Sequence, residues 1–274
     1  MILKTIKSIV FFTLILSFVS CSEYQKMLNN PDTNLKYKAA EVYYKEGEYK
    51  KANRIFEQIV PTYRGKPQAQ RIIYFYANSY FQIRDYNLSA YQFESFVKSY
   101  PKSDRAQEAY FMAAKSYYML SPRFSLDQQD TYKAIDKLQI FLDNYPDGEF
   151  SDDANTLISE LQVKLEKKFF EISKKYYTIR DYKASINAFD SFISDFPGTP
   201  FKEEALYYKF LSNYELAINS IFAKKEERLV EAKELGDSLL DYFPESLFLE
   251  DIEKKFKNIE KELTSFDQPT TNTK

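Results

Sequence analysis

The chain has 274 residues, 18% of them aromatic (24 Tyr and 24 Phe, with no Trp), which allows one or two domains and excludes a disordered composition. A net charge of −2, with both signs interspersed, leaves no electrostatic footprint for nucleic acid. The absence of His removes Ser-His-Asp and Cys-His activation and the usual zinc ligand sets, and the single Cys, Cys21, excludes an internal disulfide and a CxxC redox site.

The first segment reads as an address. Lys4 and Lys7 precede an apolar run from Ile9 to Val19, which is too short to span a bilayer comfortably and fits a signal peptide over residues 1–20. It ends Phe18-Val19-Ser20-Cys21, which resembles a bacterial lipobox with Phe18 in place of the preferred Leu. Cys21 is therefore the expected lipidation site. Each buried CH₂ of an acyl chain contributes roughly 0.8 kcal/mol, so several chains hold a protein at a membrane almost permanently. Residues 21–32 then form a lipidated linker. Ser22-Glu23-Tyr24-Gln25 contains no acidic run resembling a surface-export tag, which favours a periplasm-facing protein.

The body is a repeat. Ile59-Val60-Pro61-Thr62-Tyr63 is echoed by Phe96–Tyr100, Phe141–Tyr145, Phe192–Phe196 and Leu239–Phe243. Pro101, Pro146, Pro197 and Pro244 follow the last four, so each phrase closes a helix. Phe56, Phe93, Leu138 and Phe189 stand three residues before the phrases, and Ala52, Ser89, Ala134 and Ser185 four before those. That spacing is one helical stripe. A preceding helix repeats Ala40, Ala77, Ala114 and Ser173, each followed three residues later by Tyr43, Tyr80, Tyr117 or Tyr176. The pattern resembles the tetratricopeptide repeat, a pair of antiparallel helices. With only 5 Gly and 10 Pro in the chain, the expected fold is all-α: a tetratricopeptide-like helical-hairpin solenoid of about five repeats over residues 33–263.

The phrases are 37, 45, 51 and 47 residues apart, so later units are longer than the 34-residue norm. An insert at Ser121–Asp130 and a long helix from about Ser151 to Thr178 account for part of this. A final helix is expected near Leu247–Leu263, before a polar, disordered tail at 264–274. Stacking of all units is expected to make one cooperative body.

Several stretches resemble the outer-membrane assembly lipoprotein family BamD. One is Asn144-Tyr145-Pro146-Asp147-Gly148-Glu149-Phe150-Ser151-Asp152-Asp153-Ala154. Others are Asp181–Asn187, and Asp195–Pro200 with Glu203-Glu204-Ala205. The resemblance covers most of residues 21–245. Leu157, Ile158 and Lys164 occupy the region where that family often carries Arg and His. The resemblance implies a Bacteroidetes-like lipoprotein of the outer membrane, anchored on the periplasmic side and part of the β-barrel assembly machinery. Its partners would be a BamA-like barrel assembly subunit, docked through the C-terminal repeats, and unfolded outer-membrane proteins received by the N-terminal repeats.

First helices of such repeats line a concave face. There the alignment sets Tyr37 with Tyr44, Tyr74 with Phe81, Phe111 with Tyr118, and Phe170 with Tyr177, each pair seven residues apart. The fifth unit reads Tyr208 and Glu215 and breaks the pattern. The rings either pack between neighbouring first helices or line a peptide-binding groove for an extended apolar segment, with Glu41, Asn78 and Lys115 as polar neighbours. A different envelope repeat lipoprotein, an adaptor in cell-wall or uptake assemblies, shares all these features. No Gly-rich phosphate loop and no convergent pair of acids appears, so neither cofactor nor catalysis is expected.

Overall fold

The computed structural model describes residues 23–266. The leader 1–20, Cys21 and the chain beyond Phe266 lie outside the described residues. After a short helix at residues 23–28, the chain forms α1 (Thr33–Lys45), α2 (Tyr49–Tyr63), α3 (Ala69–Gln82), α4 (Tyr86–Ser99), α5 (Ala106–Leu120) and α6 (Gln129–Asn144). Then follow α7 (Ser151–Thr178), α8 (Tyr182–Asp195), α9 (Lys202–Ile218), α10 (Phe222–Tyr242) and α11 (Leu249–Leu263). No strand occurs among the described residues, and the fold is an all-α, tetratricopeptide-like series of hairpins. The hairpins are α1–α2, α3–α4, α5–α6, α7–α8 and α9–α10, with α11 closing the series.

The turn prolines act as expected. The residues before them, Tyr100, Tyr145, Phe196 and Phe243, are C-caps with φ from −138° to −127° and ψ from 59° to 79°. Proline's ring excludes helical geometry there. Each cap N–H still donates to the last turn, at Phe96, Phe141, Phe192 and Leu239. In three of the five hairpins, α1–α2, α3–α4 and α7–α8, the turn holds one left-handed residue. Gly47 supplies it at φ 79°, whereas Arg84 (66°) and Arg180 (64°) bear a side chain there. The next residue but one opens the second helix, and Asp85 and Asp181 cap it by accepting from Leu88 and Ala184 N–H.

The stripe read from the sequence is the core. Phe56, Phe93, Leu138 and Phe189 are fully buried, as are Ala52, Ser89, Ala134 and Ser185. A small residue on the second helix brings its neighbours close, and the large side chain beside it fills the remaining space.

The hairpins gather into two compact units. Among the described residues, 23–122 and 127–161 make the first; 123–126 and 162–266 make the second. In the first unit, Ala154, Ile158 and Leu161 at the start of α7 cover Ala134, Leu138 and Phe141 of α6. In the second, Ile252 and Ile259 of α11 cover Leu229, Ala232 and Leu239 of α10. Thr264–Phe266 continue as a turn where the sequence places the start of a disordered tail, and the Phe266 ring stacks on Phe222 at 4.6 Å.

Candidate functional site

The aromatic pairs on α1, α3 and α5 separate into two kinds. Tyr74 and Phe111 are each 3% exposed. Tyr74 lies 5.6 Å from Phe93 and 5.9 Å from Phe96, and Phe111 stacks on Phe150 at 5.0 Å. These two rings join helices and do not line open surface. Lys115 reaches back over Phe111, 5.5 Å from its centroid. Tyr37, Tyr44, Phe81 and Tyr118 are only partly buried.

The structure assembles a ladder across α1 and α3 from these residues and from two the sequence pattern did not single out, Phe75 and Arg71. Tyr44 stacks on Phe75 at 4.4 Å and donates its hydroxyl to Asn78 Oδ1 at 2.7 Å. Tyr37 donates to Glu41 at 2.7 Å, and Glu41 pairs with Arg71 at 2.8 Å. The Arg71 guanidinium lies 5.3 Å from the Phe75 ring. Arg105, at the start of α5, sits 4.4 Å from Tyr74 and 5.9 Å from Phe75. Beside this cluster opens a cleft of about 560 Å³ lined by Gln70, Arg71, Phe75, Ser103 and Arg105 among others. Phe81 contacts Tyr86 edge-on at 5.4 Å, and Tyr118 donates to Glu160. Internal repetition did not expose Phe75, because its counterparts in α1 and α5 are Lys38 and Met112.

The phenols in this region are held neutral. Burial, then the bond to Glu41, raises Tyr37 to about 12; burial raises Tyr44 to about 12. The bond to Glu160, then burial, raises Tyr118 to about 12. Tyr74 is raised by burial and by hydrogen bonding to Glu108. Neutral phenols, guanidinium planes and the Asn78 amide nitrogen, which has no partner among the described residues, suit an extended peptide: rings for side chains, donors for backbone carbonyls. Among the described residues no group of three or more His, Cys, Asp or Glu has metal-binding geometry.

In the second unit the register differs by one residue from the sequence alignment. Ser212 Oγ meets Ser185 Oγ at 2.8 Å, the same link that Ser116 makes with Ser89 at 3.0 Å. Tyr207 stacks on Phe248 at 3.9 Å, as Phe111 does on Phe150 and Phe170 on Phe201 at 5.5 Å. The fifth pair is thus Tyr207 and Tyr214, not Tyr208 and Glu215, and the pattern is unbroken. Tyr207 also donates to Asp251 at 2.8 Å.

No helix among the described residues is long and apolar enough to cross a membrane. No curated protein sequence matches the chain. Similar solved structures include a TPR repeats protein from Bacteroides fragilis at 13% identity, covering 86% of this chain and 100% of that one with a TM-score of 0.40. Another is the TPR2AB domain of yeast Sti1 in its pHSP90 complex, at 11% identity, 83% and 98% coverage and a TM-score of 0.38. A third is the MamA protein, at 16% identity, 87% and 97% coverage and a TM-score of 0.31. The profile of the YfiO family, outer membrane lipoprotein, matches residues 29–229 and again 163–273, and the chain belongs to that family.

Proposed function

We propose that this protein is a periplasm-facing outer-membrane lipoprotein of the β-barrel assembly machinery, anchored through Cys21 and acting as a binding scaffold. Residues 1–20 are removed as a signal peptide, and residues 21–32 link the lipid to the helical repeats. The second unit docks on a BamA-like barrel assembly subunit. The first unit receives unfolded outer-membrane proteins. The observation that carries this reading is the partly open ladder of Tyr44, Phe75, Asn78 and Arg71 beside its cleft, in a chain whose family is one of outer membrane lipoproteins.

The ladder suits an aromatic-rich, extended segment such as the C-terminal strand of a barrel protein. Its rings offer area at low entropic cost, since Tyr and Phe lose only two torsions each. Glu41, Asn78 and Lys115 supply polar contacts at intervals, and Tyr37, Phe81 and Tyr118 extend the apolar track. Tyr74 and Phe111 back the track from the core.

The test is fluorescence anisotropy of a labelled C-terminal barrel-protein peptide on the full chain. Replacing Phe75 and Phe81 by Ala removes two rings without emptying the core beneath. An affinity loss of at least about tenfold, with the far-UV circular dichroism retained, is the expected result. Unchanged affinity in a folded double variant contradicts the reading.

A further inference from the structure

Within each unit, a first helix lays one face on the second helix of the hairpin before it. That face is buried on α3, α5 and α9. Tyr76 and Tyr80 are 7% exposed, Ala113 2% and Asn213 4%, while Ser79, Ser116 and Ser212 are fully buried. Each of these serines bonds back to the preceding second helix, at Asn53 (2.9 Å), Ser89 (3.0 Å) and Ser185 (2.8 Å).

The matching residues of α7 are open. Ile172 is 44% exposed, Tyr176 38% and Ile179 62%, and Lys175 stands where the buried serine belongs. The cause is the length of α7. Ala109, Ala154 and Ala205 occupy one position, eight residues after a turn proline. Phe111 follows its alanine by two residues and Phe170 follows Ala154 by sixteen, so α7 holds fourteen extra residues, or about four turns. Its start closes the first unit. Its remainder opens the second unit, in which no hairpin precedes it.

The open residues have a definite pattern. Phe169, Ile172, Tyr176 and Ile179 are spaced three, four and three, the seam of a heptad. Phe169 is 42% exposed, and beside the seam Leu126 is 48% exposed, its carbonyl bonded to Lys168 Nζ. Lys168 and Lys175 flank one side of the seam. Pairing this seam with a second copy in the antiparallel sense sets Lys168 against Lys175, a like-charge contact that disfavours self-association.

We propose that this face of α7 docks an amphipathic helix of another protein, apolar along its seam and acidic on its flanks. A helix is the occupant because the equivalent face on α3, α5 and α9 is covered by one. The acidic flank follows from the lysines.

The test uses the full chain and two synthetic three-heptad helices, both with Leu at the seam and with either Glu or Lys on the flanks. The Glu-flanked helix is expected to bind at least about tenfold more tightly. Ile172→Glu abolishes that binding with the circular dichroism unchanged, because the side chain is exposed. Lys175→Glu narrows or reverses the preference. Equal binding of both helices, or binding indifferent to Ile172→Glu, overturns the proposal. So does cross-linking of the chain to itself through α7. Attachment to phosphatidylglycerol vesicles that Ile172→Glu abolishes, with no binding of either helix, assigns the face to lipid and equally overturns it.

Discussion

Phe93→Ala tests the repeat core where the packing is densest. Phe93 is fully buried and shares a cluster with Tyr74, Ala77, Phe96, Ala109 and Ala113, contributed by α3, α4 and α5. Three helices bound the site, so it cannot collapse freely around a truncated side chain. Core Phe→Ala changes cost about 3–5 kcal/mol, and this enclosure points to the upper part of that range. At about 3 °C per kcal/mol for a unit of this size, the first unit's melting temperature falls by roughly 10–15 °C. In a stacked array stability passes mainly between neighbours, so the loss stays in the unit that holds the cavity. Hydrogen–deuterium exchange resolves this by helix. Exchange rises strongly in α3, α4 and α5 while α10 keeps its protection. A loss under about 1 kcal/mol refutes the packing argument, and equal loosening of α4 and α10 refutes the division into two units.

Cys21→Ser is expected to move the protein from the membrane fraction to the soluble fraction, read by fractionation and by loss of labelled palmitate; retention in the membrane contradicts lipid anchoring. Gly47→Ala places a Cβ at φ 79° with nothing within 4 Å, so backbone strain alone costs about 1 kcal/mol in urea unfolding, and a neutral result refutes the turn assignment. Tyr37, Tyr44, Tyr118 and Tyr177 are raised from 10.0 to about 12 in the folded chain. The unfolded chain therefore releases these protons first, so their contribution is complete below pH 10 and is lost as pH rises towards 12. Absorbance at 295 nm should show tyrosines ionising late and together with unfolding; complete titration near pH 10 in a folded chain contradicts this.

Most of the fold was legible because its core positions sit at fixed helical spacing. The small residue, the Phe four later and the turn proline all answer to one hairpin geometry, and Phe56, Phe93 and Phe189 lie where that spacing puts them. The register of the fifth unit was missed because Tyr207 and Tyr208 are adjacent rings and distance from the phrase does not choose between them. The turn prolines do: counting eight residues from Pro101 and Pro197 aligns Ala109 with Ala205, and hence Phe111 with Tyr207. The burial of Tyr74 and Phe111 was not legible. Seven-residue spacing fixes which face a ring occupies. Whether a neighbouring loop covers that face depends on distant residues, Arg105 in one case and Phe150 in the other. The boundary inside α7 was not legible, because the repeat frame continues through that helix; the packing nonetheless gathers into two compact units that part within it.

The most direct test of the proposed function is affinity purification of the full, lipidated chain from detergent-solubilised envelopes, followed by mass spectrometry. A BamA-like barrel subunit recovered in stoichiometric amount, and lost when the second unit is disrupted by Phe189→Ala, is the expected result. Recovery of cell-wall or nutrient-uptake proteins with no barrel subunit contradicts it and assigns the repeats to another envelope assembly.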